Sequence, residues 1–355
     1  MGNGSQPDSA DRRRMVALAL AGVGTGYLPS FSASAQTNAG KLVYGIGNLD
    51  PMFSAGFVAL KKGYFKDAGL DASFVDCQNG PRARQMLAAQ QVNIVASASF
   101  DPMVITIAGK LTKVIAGIDQ RLPYANVIVR KEDFDSGRIK SIADLAGKRI
   151  GVSAPKSAFW LMATQMVESA GVKGVEIRGV GDLASMLAAL KSKQVDASLA
   201  TLPMMDSAQK EGWGVPIVSI HNPDGWQKAI GLGGDVQGQW IFALEDFISS
   251  RPEAVQAFVT GWLKGNDFVM ASKPEDTAEL IYGDYLSAFK KETVTQTIAI
   301  LKERIWSRDN IVTPDAYKRV VAVMAGDRLV SNADAAKSPY EVGVDMRFVR
   351  KARGL

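Results

Sequence analysis

A strand, a polar loop and a helix follow one another near the start of the chain, and this segment constrains the fold more than any other feature. Residues 42–46 form an apolar run typical of a buried strand, and residues 47–49 form a short loop. Asp50 can cap the N–H groups of a helix that begins at Pro51, where a missing donor costs nothing. Gly63 predicts the end of this helix. Open α/β sheets bind ligands at loops that leave the carboxyl ends of strands, so this loop is a candidate ligand site.

A short phrase of glycines and apolar residues follows the helix. It has the form G-x-F-x-x-x-G-L and consists of Gly63, Phe65, Gly69 and Leu70, with a second strand at residues 72–75. In this segment the chain resembles the start of the mature solute-binding proteins of the nitrate/sulfonate/taurine/thiamine-precursor family.

The resemblance extends over residues 41–325 and implies an α/β fold, that of the type II periplasmic binding proteins. In that fold two lobes, each a mixed sheet flanked by helices, are joined by two hinge crossovers. Lobe one is expected to contain residues 36–126 and 238–330, and lobe two residues 127–237. Residues 331–355 are polar and weakly patterned, and we expect them to form a C-terminal tail.

Apolar patterning and cap residues predict further elements along the chain. The expected strands are 94–96, 126–130, 148–152, 175–178, 197–200, 215–218 and 240–243. The expected helices are 142–147, 158–170, 251–271, 274–282, 285–289, 290–306 and one that begins at Pro314.

The chain also repeats itself in two helix–turn–strand units. Residues 86–89 and 186–189 both read Met-Leu-Ala-Ala, and Gln-Val-Asn at 91–93 has a counterpart in Gln-Val-Asp at 194–196. Because helix, turn and strand match in the same order, the repeat favours two related lobes.

The N-terminus reads as an export signal. Arginines 12–14 precede an apolar run at residues 15–28, and residues 33–35 form an A-x-A cleavage site. We expect residues 1–35 to be removed, with cleavage between Ala35 and Gln36 in the periplasm. The choice between the twin-arginine and the general secretion route stays open. No cysteine for lipid attachment lies at the cleavage site.

Composition and charge exclude several classes of protein. The formal charge of +5 falls to +4 without residues 1–35, and the charges are scattered, whereas a nucleic-acid-binding protein concentrates them on one face. Cys77 is the only cysteine and His221 the only histidine, so a usual zinc site is not expected. No cofactor is expected.

The loop of the second unit that leads into the helix at Ala158 is the strongest candidate for binding an anion. Ser153, Lys156 and Ser157 lie where a helix offers unpaired N–H groups and a partial positive charge. A cap role for Ser153 and a solvated Lys156 are the plainer alternative. The resemblance implies that this loop, with Ala158, contacts the ligand.

Other candidate ligand contacts lie in equivalent loops or near the return crossover. An aspartate that faces the cleft favours an amine or a ring N–H on the ligand, although Asp50 precedes a proline and can act as a cap alone. These further candidates are Asn48, Asp50, Met52, Phe53, Ser97, Ser99, Phe100, Leu202, Pro203 and Gln237.

Enzymatic signals are few. Ser153 lies between a strand and a helix, as a hydrolase nucleophile does, but Pro155 replaces the second glycine of G-x-S-x-G. In the near match to a dinucleotide motif at residues 45–50, Asp50 replaces the third glycine and places a negative charge near a pyrophosphate.

The sequence therefore predicts a monomeric, non-enzymatic binding component of an ABC importer. Its expected partners are a small-molecule ligand and the permease and ATPase of the importer. The ligand is expected to be a small organic anion such as a sulfonate or carboxylate. A secreted serine hydrolase that uses Ser153 and a ligand-binding partner of a sensor kinase are the alternatives.

Overall fold

A computed structural model describes Met1 and residues 39–231, 235–325 and 328–355. The predicted export signal, apart from Met1, lies outside the described residues. Among the described residues, no helix is both long enough and apolar enough to cross a membrane.

Within the described residues, ten strands form two five-stranded sheets. In chain order they are β1 Gly40–Ile46, β2 Leu70–Asp76, β3 Ile94–Ala98, β4 Thr112–Gly117, β5 Asn126–Arg130, β6 Arg149–Val152, β7 Glu176–Gly179, β8 Ala197–Ala200, β9 Gly214–Val218 and β10 Gln239–Leu244.

Helices cover these sheets and fill the C-terminal part of the chain. The first eight are α1 Ser54–Lys61, α2 Tyr64–Asp67, α3 Gly80–Ala88, α4 Asp101–Ile107, α5 Lys131–Asp135, α6 Ala158–Ser169, α7 Leu183–Lys191 and α8 Leu202–Lys210. The others are α9 Pro223–Ile230, α10 Glu245–Ser250, α11 Pro252–Ala271, α12 Pro274–Ile281, α13 Lys291–Ile300, α14 Pro314–Met324, α15 Asn332–Ala335, α16 Tyr340–Gly343 and α17 Arg347–Arg353.

The two sheets have the same topology. The first has the order β2-β1-β3-β10-β4 and the second the order β7-β6-β8-β5-β9. In each sheet four strands run in the same direction, and the remaining strand runs antiparallel between its two neighbours: β10 in the first sheet and β5 in the second. These central antiparallel strands are buried along their whole length, which explains their continuous apolar sequences.

The repeat extends to individual hydrogen bonds. The Asn93 side chain accepts a hydrogen bond from the backbone N–H of Val43 at 2.9 Å, just before β3. The Asp196 side chain accepts one from the backbone N–H of Arg149 at 2.9 Å, just before β8. Asn93 and Asp196 thus accept the same backbone hydrogen bond at equivalent positions of the two units.

The Met-Leu-Ala-Ala match is displaced within this repeat. Gln90 and Lys193 both have a left-handed backbone, with φ of 57° and 65°, and each lies three residues before the paired Asn or Asp. Alignment on these residues places Leu87 opposite Leu190, both buried, rather than opposite Leu187. The two units are therefore equivalent, but their Met-Leu-Ala-Ala segments are offset by three residues from the structural alignment.

The helix predicted after the first strand is confirmed, although its first turn is a 3-10 turn and not an α-helical one. Residues Pro51–Phe53 form one 3-10 turn, and α1 continues from Ser54. The Asp50 side chain accepts a hydrogen bond from the backbone N–H of Met52 at 2.8 Å, and Gly63 adopts φ of 73° after the helix. The predicted cap and stop residues therefore both serve those roles.

Helix α11 packs unusually close to α1. A Cβ added to Gly265 would lie 2.1 Å from the backbone oxygen of Ala55, and one added to Gly56 would lie 2.5 Å from the Trp262 ring. These glycines are required because the neighbouring atoms occupy the space of a side chain. Tyr44 of β1 packs against this pair of helices, 5.2 Å from the Phe258 ring centre.

The segment predicted to be a C-terminal tail packs against the first sheet. Phe348 and Val349 of α17 are buried, and Val344 pairs with Val114 of β4. Arg353 forms an ion pair with Asp267 of α11 at 2.7 Å. The pattern was missed because a short helix shows two core-facing residues in seven, too few for a periodic signal.

Several other elements differ from the prediction. Strand β4 and helix α9 are not among the elements predicted from the sequence. The helices predicted at 285–289 and 290–306 are instead a π-helical segment at Tyr282–Leu286, then α13 and a second π-helical segment at Leu301–Ile305.

Candidate functional site

Loops from the carboxyl ends of strands in both sheets converge on one cavity. From the first sheet, its wall contains Gly47, Asn48, Asp50, Met52, Phe53, Asn79, Gly80, Ser97, Ala98 and Gln239. From the second sheet and the connecting segments, it contains Pro123, Tyr124, Ser153, Ser157, Ala158, Phe159, Thr201, Leu202, Thr297 and Leu301.

Nine of the predicted contact residues lie on this wall, and five do not. Those on the wall are Asn48, Asp50, Met52, Phe53, Ser97, Ser153, Ser157, Ala158 and Leu202. Those outside it are Ser99, Phe100, Lys156, Pro203 and Gln237. The sequence thus locates the loops well and the direction of individual side chains less well.

The five residues outside the wall have other surroundings. Ser99 donates a hydrogen bond to the Gln237 carbonyl at 2.9 Å, and the Gln237 side chain accepts one from Trp240 Nε1 at 2.7 Å. Phe100 and Pro203 are buried at the starts of α4 and α8. Lys156 is exposed, with φ of 59°.

Asp50 carries the only carboxylate on the described wall, and this residue is 6% exposed. Its Oδ1 accepts the hydrogen bond from Met52 N–H, whereas Oδ2 has no partner in good hydrogen-bond geometry, although the Thr201 hydroxyl lies close to the carboxylate. Burial raises the pKa of Asp50 to about 6, and the hydrogen bond from Met52 and the nearby Thr201 hydroxyl oppose the rise in part. The Asp50 carboxylate is therefore ionised at neutral pH, but no cation on the described wall balances its charge.

Three more polar atoms on the wall lack hydrogen-bond partners. They are the hydroxyl oxygens of Thr201 and Thr297 and Oε1 of Gln239, all buried. The Thr201 hydroxyl lies close to the Asp50 carboxylate, whereas the Thr297 hydroxyl and Gln239 Oε1 have no hydrogen-bond partner among the described residues. Buried polar atoms are paired in the great majority of cases, so these atoms indicate a place for a polar ligand. Thr297 was not anticipated, because a threonine inside an amphipathic helix carries no sequence signal of its own.

An ion pair behind Ser97 connects the two halves of the cavity. Ser97 Oγ donates to Asp101 Oδ2 at 2.9 Å, and Arg84 of α3 forms an ion pair with the same carboxylate. Arg84 Nη2 also donates to the Lys156 backbone oxygen at 3.1 Å, in the loop of the second sheet. The pair thus links the α3–β3 region directly to the loop that precedes α6.

The charge distribution on the wall differs from that expected for an anion site. No lysine, arginine or histidine is present on the part of the wall that the structure describes. Helices α3, α6 and α8 begin at the cavity, which favours negative charge. However, the Asn79 and Ser157 side chains already accept hydrogen bonds from Arg82 N–H and Trp160 N–H.

The described part of the chain assembles neither a metal centre nor a nucleophile–base pair. Across the described ranges, no group of His, Cys, Asp or Glu side chains is arranged to hold a metal ion. Ser153 lies on the cavity wall, but His221 is exposed, outside the wall, and lies 3.7 Å from Asp206. Burial raises the pKa of the Cys77 thiol to about 12, so this cysteine stays protonated.

Comparison with known sequences identifies relatives of the chain. The family model described as "NMT1/THI5 like" matches residues 50–277. A provisionally named binding protein of Brucella abortus (strain 2308) is 24% identical over 224 residues, which are 63% of this chain and 65% of that relative. The match therefore spans slightly less than two thirds of the relative's length.

Solved structures share the fold at low sequence identity. A protein of Bordetella bronchiseptica has a TM-score of 0.77 at 23% identity, over 88% of this chain and 97% of the other. The periplasmic nitrate-binding protein NrtA from Synechocystis has a TM-score of 0.70 at 11% identity, over 88% of each chain. The desulfurization enzyme DSZB has a TM-score of 0.61 at 15% identity, over 88% of this chain and 99% of the other. The predicted binding-protein fold is confirmed.

Proposed function

Because the chain belongs to the NMT1/THI5-like family, we propose that it is the solute-binding component of an ABC-type importer. It captures a small organic molecule in the cavity between the two sheets and delivers it to the permease and ATPase of that importer. In this proposal the protein acts in the periplasm, and residues 1–35 direct its export. The lobes are residues 36–126 with 238–330, and residues 127–237.

One observation carries the proposal: the cavity is built by equivalent loops of two equivalent sheets. Asp50 and Met52 follow β1, and Ser153 and Ser157 follow β6, so a bound molecule contacts both halves. A ligand that contacts both halves stabilises the form in which they are close together, and a permease can recognise that form.

The proposal assigns no catalytic role to Ser153. A serine nucleophile needs a base within hydrogen-bond reach, and His221, the only histidine of the chain, lies outside the cavity wall. The likeness to a desulfurization enzyme concerns the fold, which supports many functions.

A substitution that fills the cavity tests the proposal. Ala158 lies on the wall and is half-buried, so Ala158→Trp places a large ring in the cavity without a change of charge. Ala184 lies on α7, is exposed and is not part of this wall, so Ala184→Trp is the matched control.

The assay measures both binding and uptake. Wild-type protein is incubated with cell extract, and the retained small molecule is identified by mass spectrometry. We expect a gene deletion to abolish uptake of that molecule, and wild type and Ala184→Trp to restore it, whereas Ala158→Trp does not. Normal uptake in the deletion strain, or retention of the molecule by folded Ala158→Trp, would contradict the proposal.

A further inference from the structure

Within the proposed transport function, we propose that the bound molecule presents a protonated or N–H-bearing nitrogen to Asp50. The ligand class is an organic amine, an amidine or an amino-substituted heterocycle, rather than a carboxylate or sulfonate. The anionic head expected from the sequence rested on Lys156, whose side chain is exposed and outside the cavity wall.

The first argument is the contrast between Asp50 and other buried carboxylates. Asp101 is paired with Arg84, and Asp133 with Arg130 at 2.6 Å. Asp119 has no cation either, but it lies outside the cavity wall and accepts backbone hydrogen bonds, one of them from the Gly238 N–H at 2.6 Å. Asp50 has one backbone donor, on Oδ1, and at the cavity its carboxylate meets a hydroxyl, that of Thr201, but no cation. A buried charge is stable only when paired, so the missing partner of Asp50 is supplied by what fills the cavity.

The second argument is the hydrogen-bonding character of the unpaired atoms. An ionised carboxylate only accepts hydrogen bonds, and an amide oxygen such as Gln239 Oε1 only accepts as well. The hydroxyls of Thr201 and Thr297 can donate or accept. A nitrogen with N–H groups satisfies both acceptors, whereas a carboxylate or sulfonate ligand brings acceptors to acceptors.

The third argument is the absence of a counter-charge for an anion. On the described wall no cationic side chain faces the cavity, and the nearest ion pair, Arg84 with Asp101, lies behind Ser97 and is already neutralised. An anion beside Asp50 meets a like charge in a buried site, and like charges there oppose one another strongly.

The apolar part of the wall describes the body of the ligand. Tyr124 and Phe159 pack edge to face, with ring centres 5.7 Å apart, and Met52, Phe53 and Leu202 complete an apolar surface. Aromatic and aliphatic walls of this kind accept a flat organic ring. An aromatic or heteroaromatic compound that carries a basic nitrogen matches both parts of the cavity.

Small aromatic probes that differ in their polar group, either N–H-bearing or anionic, test the inference. Benzamidine, benzylamine and 4-aminopyrimidine are compared with benzoate and benzenesulfonate by calorimetry and thermal shift at pH 7.5. The proteins are wild type, Asp50→Asn, and Asp76→Asn as the control, because Asp76 ends β2 at the same sheet edge but lies outside this cavity.

We expect wild type to bind at least one nitrogen compound about tenfold or more tightly than either anion. Asp50→Asn should lose about tenfold or more in affinity for that compound, whereas Asp76→Asn should stay within about threefold. Circular dichroism and the melting temperature verify that each variant is folded.

The outcomes separate this inference from the transport function. Preferential binding of benzoate or benzenesulfonate by wild type overturns the nitrogen assignment and leaves the proposed transport function intact. Binding of the nitrogen compounds that is unchanged in Asp50→Asn overturns it as well, as does a failure of all three to bind at millimolar concentration. Normal uptake in the deletion strain overturns the transport function instead.

Discussion

Replacement of Asp50 by asparagine should stabilise the ligand-free protein at neutral pH. Asparagine keeps Oδ1 as a cap for the Met52 N–H but removes the buried charge. Burial raises the pKa of Asp50 from 3.8 to about 6, a shift of about two units, and each unit corresponds to about 1.4 kcal/mol. The ionised carboxylate therefore costs the folded state on the order of 3 kcal/mol, and Asp50→Asn should recover up to that amount.

The pH dependence of this gain gives a stricter test. Well below the unfolded pKa of 3.8, Asp50 is protonated in both states, and wild type and Asp50→Asn should unfold with similar free energy. Between pH 4 and pH 6 the wild type loses stability relative to the variant, because the unfolded carboxyl ionises more readily than the folded one. Above about pH 6 the difference should reach a plateau.

Urea unfolding of both ligand-free proteins at intervals from pH 4 to pH 8 measures this difference. All other titrating groups are shared, so they cancel in the comparison. Asp182→Asn is a control of opposite sign, because the hydrogen bond from the Ser185 N–H lowers the pKa of Asp182 and the carboxylate stabilises the folded state above the unfolded pKa. A difference between wild type and Asp50→Asn that is constant with pH would refute the reasoning.

Three further substitutions test the packing that holds the cavity in place, each by urea unfolding. Arg84→Met leaves the buried Asp101 without its cation and should cost about 3–5 kcal/mol, and Asp101→Asn in the same chain should recover part of this loss. Gly265→Ala places a methyl group against a backbone oxygen of α1 and should cost about 1–3 kcal/mol or more, whereas Gly283→Ala, where no atom lies within 4 Å, should be nearly neutral. Phe348→Ala should cost about 3–5 kcal/mol if the C-terminal segment belongs to the core, and a cost below about 1 kcal/mol would contradict that packing.

The sequence predicted the elements whose signals are local. Strand β5 is found at the predicted residues, Asn126–Arg130, because a buried strand is one continuous apolar run. Asp50 and Gly63 mark a helix start and stop through side-chain and backbone chemistry that acts within a few residues. The family resemblance, which rested on such turn residues, is confirmed by the match over residues 50–277.

The sequence could not predict which side chains of a loop face the cavity. Lys156 follows Pro155 in a left-handed conformation with φ of 59°, and its side chain is exposed, while its neighbour Ser157 lies on the wall. Thr297 reaches the wall from α13, far along the chain, and Gln239 from the central strand β10. These contacts depend on how distant segments meet, which no local pattern encodes.

The two halves of the cavity have the same architecture but not the same chemistry, and this difference gives the ligand a role in closure. The helix after β1 is capped by Asp50, and the helix after β6 is capped by Ser157. An acid on one side thus faces only hydroxyl groups and apolar residues on the other, with no cation across the cavity on the described wall. In the proposed closure, the halves come together around the ionised Asp50 carboxylate, which is desolvated and gains no cation unless the ligand provides one. Within the proposed transport function, the charge that favours binding of the correct ligand also disfavours the closed form of the empty protein, so the permease would encounter few closed molecules without cargo.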